Sequence, residues 1–473
     1  MKLMPTMYLK SHQLYDKITE ILVENKGTIL FKTSWFTNLD ILVTSDPANV
    51  QHVLNSNYSI YQRGSEFRKA FDFLGPAAFT KDLHEWREDK KFTHAFYKEI
   101  KFHKSTPKII HHTLENGLLP VLDHVSQQNQ VLDLQNLFNR YMLDATCLSA
   151  TGFDLGSLRV DFPKAPLLDA MVLGARRRGR VFRHILPERV WRMQKWLRIG
   201  KEKKLAEAYI VVDQILGDYV SRKRIAAKNQ ETGDDFDVLK FYLAEAGGGS
   251  KGSKKHAEKG FLVANIATLL FAGRDTSAGL LTWFFYLIFK NPLVENKILE
   301  EIRQFSPPQK YLFSKVEELS KLVYLHSVLI ESLRLYPTVP VIIRDPAKED
   351  VLPSGHKVDQ TTKVFLCTYA MGGCRRFGVK IATNLSRRDG YLGKNKSNMW
   401  LPTFFLHSDT RMQTRAQASE TDSQAANYRA GNWQEERPPG RREDNPPSPG
   451  RASSAPLKVS LPAKEVCLTR ESL

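Results

Sequence analysis

The sequence has no uninterrupted run of about 18 to 20 apolar residues, the length that a membrane-spanning helix requires. Its opening residues 1–32 mix Lys, His, Asp and Glu with hydrophobic residues, so we expect no signal peptide or membrane anchor there. Cysteine is scarce: the four cysteines have no regular spacing and no secretory context. This scarcity favours a reduced compartment over a disulfide framework.

The composition is nevertheless that of a folded protein, because 42% of the 473 residues are hydrophobic and 10% are aromatic. Lys and Arg outnumber Asp and Glu by 69 to 51, which favours contact with an anionic membrane, nucleic acid or an acidic protein. A basic helical binding protein is therefore an alternative. The Arg-rich tail has few of the interleaved aromatics that binders of single-stranded nucleic acid use, so we expect no nucleic-acid partner.

Helical periodicity dominates the chain. Two short apolar runs, 28–32 and 40–44, predict an early β-hairpin, and further short strands are expected at 351–358 and 363–368. The apolar spacing predicts helices over 11–24, 82–98, 110–127, 132–151, 201–226, 236–246, 259–290, 292–304 and 316–336, with one more opening at Asp46-Pro47. The pattern indicates a mainly α fold with a minor β-sheet.

The long helix carries a polar interruption at its centre, Ala272-Gly273-Arg274-Asp275-Thr276. Glycine weakens a helix and a buried carboxylate must be solvated or paired, so such a turn often marks a functional site. There Gly273, beside Ala272, would open room for dioxygen, Thr276 would hydrogen-bond the bound oxygen, and Asp275 would relay protons. The alternative is a core helix with an exposed turn.

A second polar pair lies on the helix predicted over 316–336. Glu331 and Arg334 are three residues apart on one helix face, a spacing that is common on solvated helices. Here the flanking residues Val328, Leu329 and Leu333 are apolar, which favours a buried charge network.

In this order and spacing, the two helices resemble the central helix and the E-x-x-R helix of the cytochrome P450 superfamily. The segment from Trp86 to Lys91 is similar to the family's W-x-x-x-R element, whose Trp and basic residue reach a haem propionate. Lys90 stands where Arg is usual, so that contact would be weaker; Trp86 as ordinary core is the alternative. Arg344 is the candidate for a second propionate contact.

At finer grain, motifs such as 35–38, 44–47, 281–285 and 350–356 are similar to the plant subfamily that hydroxylates fatty acids and long-chain alkanes, of the midchain alkane hydroxylase type. The resemblance covers residues 4–372. It implies the cytochrome P450 fold, haem as cofactor, electrons from NADPH through NADPH-cytochrome P450 reductase, a long-chain aliphatic substrate, a monomer, and the endoplasmic reticulum membrane. The family's anchor and proline-rich hinge are not encoded here, so a cytoplasmic location is the alternative.

The resemblance stops before the family's iron ligand, a cysteine thiolate in a loop of the form F-x-x-G-x-R-x-C-x-G. Neither Cys374 nor Cys467 has the neighbours of that loop, so we expect no metal ligand in this chain. We therefore divide the chain into a cytochrome P450-like domain, 1–372, that is incomplete at its C-terminus, and an aberrant tail, 373–473. The tail is expected to be largely disordered, above all over 437–456.

A single missing base accounts for the break. Codons that encode 372–390 can be chosen so that one inserted A after the first codon changes the reading to G-R-M-Q-K-V-W-G-E-D-C-Y-E-F-K-P-E-R-W. That reading is the family's expected continuation, including its P-E-R-W element. Our hypothesis is a frameshift near codon 373, through mutation, pseudogene decay, or a sequencing or gene-model error, and a catalytically inactive product.

Overall fold

The structure, a computed structural model, describes residues 14–32, 40–64, 67–68, 71–75, 77–81, 83–175, 188–229, 236–247, 253–305, 316–373, 457–461 and 464–468. All of the described residues belong to one unit, which spans residues 1–388 and 457–473.

Helices make up most of the described residues. In chain order they are α1 Leu14–Glu24, α2 Pro47–Gln51, α3 Leu83–Thr93, α4 Ile100–Thr113, α5 Leu119–Gln128, α6 Leu134–Thr151, α7 Pro166–Ala175, α8 Glu188–Trp196, α9 Gly200–Lys228, α10 Val238–Gly247, α11 Ser253–His256, α12 Lys259–Lys290, α13 Pro292–Phe305, α14 Val316–Leu319, α15 Val323–Leu335 and α16 Thr368–Gly373.

The strands are short and form three small sheets. They are β1 Thr28–Phe31, β2 Asp40–Thr44, β3 Tyr61–Gln62, β4 Leu132–Asp133, β5 Ile342–Pro346, β6 Asp350–Val351, β7 Lys357–Val358, β8 Thr362–Leu366, β9 Leu457–Leu461 and β10 Lys464–Leu468. The largest sheet has the order β1-β2-β8-β5-β3, so the first hairpin pairs with a strand, β8, more than 300 residues later. β2 runs parallel to β8, and the other pairs in this sheet are antiparallel.

The core is built around the packing of α12 against α6. One face of α12 contributes Leu270 to a hydrophobic cluster that also contains Leu143 and Cys147 of α6. Two turns further on, Ala278 joins a second cluster with Phe138 and Tyr141 of α6. The two helices are therefore in contact over much of their length, and this interface supports the turn that the sequence marks as polar.

Several sequence predictions are confirmed. The 28–32 and 40–44 runs form an antiparallel hairpin, Thr28 pairing with Thr44. Asp46 caps α2, its carboxylate accepting from the Ala48 amide at 2.9 Å. The long helix α12 has the predicted bounds.

Other elements differ from the sequence predictions. The helix predicted over 110–127 starts at Ile100, with Pro107 inside α4, and a π-helical turn at Leu114–Leu118 separates α4 from α5. The helix predicted over 316–336 is divided between α14 and α15. The strand predicted over 351–358 is a hairpin, β6 and β7. Helices α7 and α8 and strands β3 and β5 were not predicted, because they are short and their faces are defined by distant neighbours.

The tail also contains strands that the sequence analysis did not predict. β9 pairs antiparallel with β10, and β10 pairs parallel with β4, Val466 lying opposite Leu132. The segment 437–456, for which we predict disorder, lies outside the described residues. Within the described ranges, no helix combines the length and the apolar character needed to cross a membrane.

Candidate functional site

The polar turn of α12 is only half-buried at four of its five residues. The Thr276 hydroxyl donates to the Ala272 carbonyl at 2.7 Å, one turn back along the helix. This bond brings two of the predicted site residues together and uses the hydroxyl hydrogen within the helix. For Thr276 to donate to a bound ligand, its hydroxyl would have to rotate away from Ala272.

Gly273 faces α6. A Cβ placed on Gly273 would lie 2.8 Å from Thr146 Cγ2 and 3.0 Å from Thr146 Oγ1, closer than side chains pack. The missing side chain therefore allows α12 and α6 to pack closely at this point, a role that the sequence analysis did not predict. Room for dioxygen beside Gly273 stays a prediction.

Arg274 is the residue of this turn that the sequence analysis passed over. It is 0% exposed and is the largest fully buried side chain among the described residues. Its Nε donates to Asp275 Oδ1 at 2.5 Å, and Nη2 forms an ion pair with the same oxygen. The carboxylate predicted to relay protons is thus bound by the guanidinium of its neighbour in sequence.

The Glu331–Arg334 pair of α15 forms as predicted, and both side chains are about one-fifth exposed. Arg334 donates to Glu331 through Nε at 2.8 Å and through Nη2 at 2.6 Å, a bidentate arrangement. The hydrogen bond with Glu331 raises the pKa of Arg334 above its usual value. The pair is therefore part of the folded body and does not point into open water.

Gly372 completes this cluster through a contact with Arg334 that no sequence motif predicted. Arg334 Nη1 donates to the Gly372 carbonyl. A Cβ on Gly372 would lie 1.9 Å from the backbone oxygen of Arg334, so only glycine lets α16 approach α15 this closely. Tyr336, which directly follows α15, stacks on Trp283 of α12 with ring centroids 3.7 Å apart. This contact links the two motif helices.

The predicted propionate contacts lie on two elements. Trp86 and Lys90 are one turn apart on α3, both half-buried, and the Lys90 ammonium lies 4.6 Å from the centroid of the Trp86 ring. Arg344 lies on β5, where its Nη1 donates to the Ile343 carbonyl at 2.8 Å. The structure thus brings Trp86 and Lys90 together, as the W-x-x-x-R resemblance requires, while their contact with a propionate stays a prediction.

Asp89, between Trp86 and Lys90 on α3, has a different role. It is 0% exposed, and its carboxylate binds Lys81, Lys255 at 3.0 Å and His256 at 3.3 Å. Burial by itself would raise the pKa of Asp89, but the hydrogen bonds and charges of Lys81 and Lys255 outweigh it and lower the pKa below the usual value. This network joins α3 to the segment that leads into α12.

Haem iron bound through sulfur requires a cysteine that can lose its proton and become a thiolate. Cys147 is fully buried in α6, where its sulfur lies 3.6 Å from Thr151 Oγ1 and burial raises its pKa to about 12. Cys367 follows β8, and burial raises its pKa too. Cys374 lies outside the described residues, and Cys467 lies on β10. The cysteines whose surroundings the structure describes are therefore protonated core residues, and they do not fit the role of a thiolate ligand.

A small apolar cavity of about 10 Å³, roughly the space of one water molecule, lies beside the first half of α12. Its lining includes Leu74, Met171 of α7, Tyr209 and Val212 of α9, and Ala267 of α12. Ala267 is nine residues before Thr276, about 13 Å along the helix. None of these residues was predicted from the sequence, because α7 and α9 reach the cavity only through tertiary packing.

Comparisons with known proteins agree with this architecture. A family profile described as Cytochrome P450 matches residues 7–373. The chain is 36% identical to alkane hydroxylase MAH1 of Arabidopsis thaliana over 79% of this chain and 74% of that protein. It is 32% identical to a noroxomaritidine synthase of Narcissus aff. pseudonarcissus over 77% of this chain and 70% of that protein.

Among solved structures, a cytochrome P450 (CYP102L1) superposes with a TM-score of 0.61 at 18% identity, covering 78% of this chain and 76% of that one. At this identity the superposition shows the fold alone. The mainly helical fold with small sheets, predicted from the sequence, is confirmed. With the family profile matching most of its length, the chain belongs to the cytochrome P450 family.

Proposed function

We propose that the intact form of this protein is a haem-dependent monooxygenase that hydroxylates long-chain aliphatic substrates, fatty acids or alkanes. The observation that carries the proposal is the 36% identity to alkane hydroxylase MAH1 over 79% of this chain. An alkyl chain offers little besides buried area, worth about 25 cal/mol per Å². The apolar residues Leu74, Met171 and Ala267 beside α12 are of the kind that suits such a chain, but the cavity between them, about 10 Å³, must open to admit one.

The residue roles in this proposal follow the family resemblance. Thr276 and Asp275 handle oxygen and protons, with Ala272 and Gly273 forming the rest of the turn. Trp86 and Lys90 contact one haem propionate, and Arg344 contacts the second. Glu331 and Arg334 hold the core beneath the haem, which is consistent with their half-buried bidentate pair.

The printed chain, by contrast, is proposed to be catalytically inactive. Without a thiolate the iron would lack its protein anchor and the electron donation that oxygen activation requires. The buried, protonated state of Cys147 supports this proposal, because a thiol with a pKa of about 12 does not ligate a metal readily at neutral pH. The expected partners of the intact form are the reductase and an aliphatic substrate at the endoplasmic reticulum membrane.

Spectra under carbon monoxide test both proposals. The printed chain and a second chain, translated after one base is inserted at codon 373, are purified with haem, reduced and exposed to carbon monoxide. We expect the Soret band of thiolate-bound haem only from the frame-restored chain. Supplied with dioxygen, NADPH and NADPH-cytochrome P450 reductase, that chain should also hydroxylate a long-chain alkane or fatty acid. A thiolate-type band from the printed chain would overturn its inactivity, and a frame-restored chain that binds haem but leaves both substrates unchanged would overturn the substrate class.

The frameshift has its own test at the level of the gene. Sequencing the locus and its transcript should reveal the family's continuation in another reading frame after codon 372. An intact transcript that encodes the printed tail, with no homologous reading in the other frames, would refute the frameshift. In that case the tail is a genuine part of the protein.

A further inference from the structure

Arg274 lies on α12 between two residues, Leu270 and Ala278, that pack in clusters shared with α6. Leu270, Arg274 and Ala278 are spaced four residues apart on one face of α12, and all three are at most 1% exposed. Leu270 belongs to one hydrophobic cluster shared with α6 and Ala278 to the other. The guanidinium is therefore buried at the junction of two apolar clusters, where a charged side chain is rarely found.

The contacts of Arg274 are directed at Asp275. Its Nε donates to Asp275 Oδ1 at 2.5 Å and Nη2 forms an ion pair with that oxygen, whereas Nη1 is buried and has no hydrogen-bond acceptor in the part of the chain that the structure describes. Successive residues on a helix point in different directions, so the Arg274 side chain must fold back to reach Asp275. The Asp275 side chain itself is 29% exposed.

Stability alone does not account for this arrangement. A buried ion pair loses the hydration of both groups, and its replacement by apolar residues of similar size is often neutral or stabilising. Here Nη1 of Arg274 also has no hydrogen-bond acceptor among the described residues, which adds to the free-energy cost of burying the guanidinium. A methionine between Leu270 and Ala278 would match the surrounding clusters better.

We propose that Arg274 is a positioning residue for Asp275. It holds the carboxylate in one orientation beside Thr276, with a charge fixed in the core behind it, and so prepares Asp275 for proton transfer. The inference rests on the proposed function, in which Asp275 relays protons. Its test requires no haem, so its failure is distinguishable from a failure of the proposed function.

Carboxyl labelling of the full chain tests the proposal. Carbodiimide and an amine convert accessible carboxylates to amides, and mass spectrometry gives the labelling rate at each residue. In Arg274→Met we expect labelling of Asp275 to rise about fivefold, as one charge-assisted restraint is lost, with less of a rise in Arg274→Lys, which keeps the charge but loses the fork. Labelling of Glu331, bound to Arg334, should stay unchanged.

An exposed pair provides the matched control. Arg222 binds Asp218 at 2.8 Å with both side chains at least half exposed, so Arg222→Met should change the labelling of Asp218 little. The proposal is overturned if Asp275 labelling in Arg274→Met equals that of the wild type. It is also overturned if labelling rises equally at Glu331, because Arg274 would then support the fold as a whole. Should Arg274→Met not fold, Arg274→Lys and Arg274→Gln carry the same comparison.

Discussion

Two carboxylates of this chain, Asp89 on α3 and Glu331 on α15, both bind basic side chains. They differ in burial and in how far away in the sequence their partners lie. Asp89 is completely buried and gathers Lys81, Lys255 and His256 from segments up to 167 residues away. Glu331 is about one-fifth exposed and is bound to Arg334, three residues later on the same helix. The first network joins distant parts of the chain, and the second forms within one helical turn.

The difference shows which kind of interaction a sequence displays. A spacing of three residues places two side chains on one helix face whatever the rest of the chain does, so Glu331–Arg334 is visible in the sequence. The partners of Asp89 become neighbours only after α3, α11 and the start of α12 have packed. Breaking the Asp89 network should therefore lower the free energy of unfolding more than breaking the Glu331–Arg334 pair, because burial removes the water that would otherwise replace a lost partner.

The largest expected effect is that of Asp89→Asn. Removing the charge leaves Lys81, Lys255 and His256 around a neutral amide, and breaking a buried pair costs about 3 to 5 kcal/mol. Urea unfolding followed by circular dichroism should show that loss relative to wild type. Asp123→Asn, at an exposed position of α5, is the control and should change the free energy of unfolding by no more than about 0.5 kcal/mol. Equal losses for Asp89→Asn and Asp123→Asn would show that the buried network contributes no more stability than an exposed carboxylate.

Lowering the pH should remove the stabilisation that the Asp89 carboxylate gives the wild-type protein. The pKa of Asp89 is lowered in the folded protein, so its stabilisation is present above the carboxylate's unfolded pKa of about 4 and is lost as pH falls through the folded pKa. Unfolding free energies measured from about pH 6 down to about pH 3 should therefore fall more steeply for wild type than for Asp89→Asn. Parallel curves would show that Asp89 is not the group that titrates.

Gly372→Ala tests the contact that ends the Glu331–Arg334 cluster. A Cβ there would lie 1.9 Å from the Arg334 carbonyl oxygen, so α16 must move, at a cost of about 2 kcal/mol. Gly373→Ala is the matched control on the same helix, because no atom of the residues that the structure describes lies within 4 Å of its Cβ position. We expect Gly373→Ala to leave the thermal midpoint unchanged or slightly higher. Equal effects of the two substitutions would contradict the close approach of α16 to α15 at Gly372.

The same contrast explains how much was predictable. The bounds of α12, the first hairpin and the Glu331–Arg334 pair follow from local periodicity and spacing, and the cytochrome P450 family follows from several such motifs in order. The burial of Arg274, the packing of Thr146 on Gly273 and the partners of Asp89 depend on which helices meet. Arg274 did carry a signal, since an arginine inside an apolar helix needs a partner, and its neighbour Asp275 was the nearest candidate.

Glu331→Gln should have the smallest effect of the three substitutions. The side chain is partly hydrated, glutamine keeps one acceptor for Arg334, and Arg334 retains its bond to the Gly372 carbonyl, so we expect a loss of about 1 kcal/mol. Glu300→Gln, at an exposed position of α13, should change nothing measurable. Because water reaches the pair, the loss should also shrink in high salt, which screens the exposed part of the attraction. A loss as large as that of Asp89→Asn, and independent of salt, would mean that the local pair is desolvated as completely as the long-range network, and that helical spacing alone does not distinguish the two.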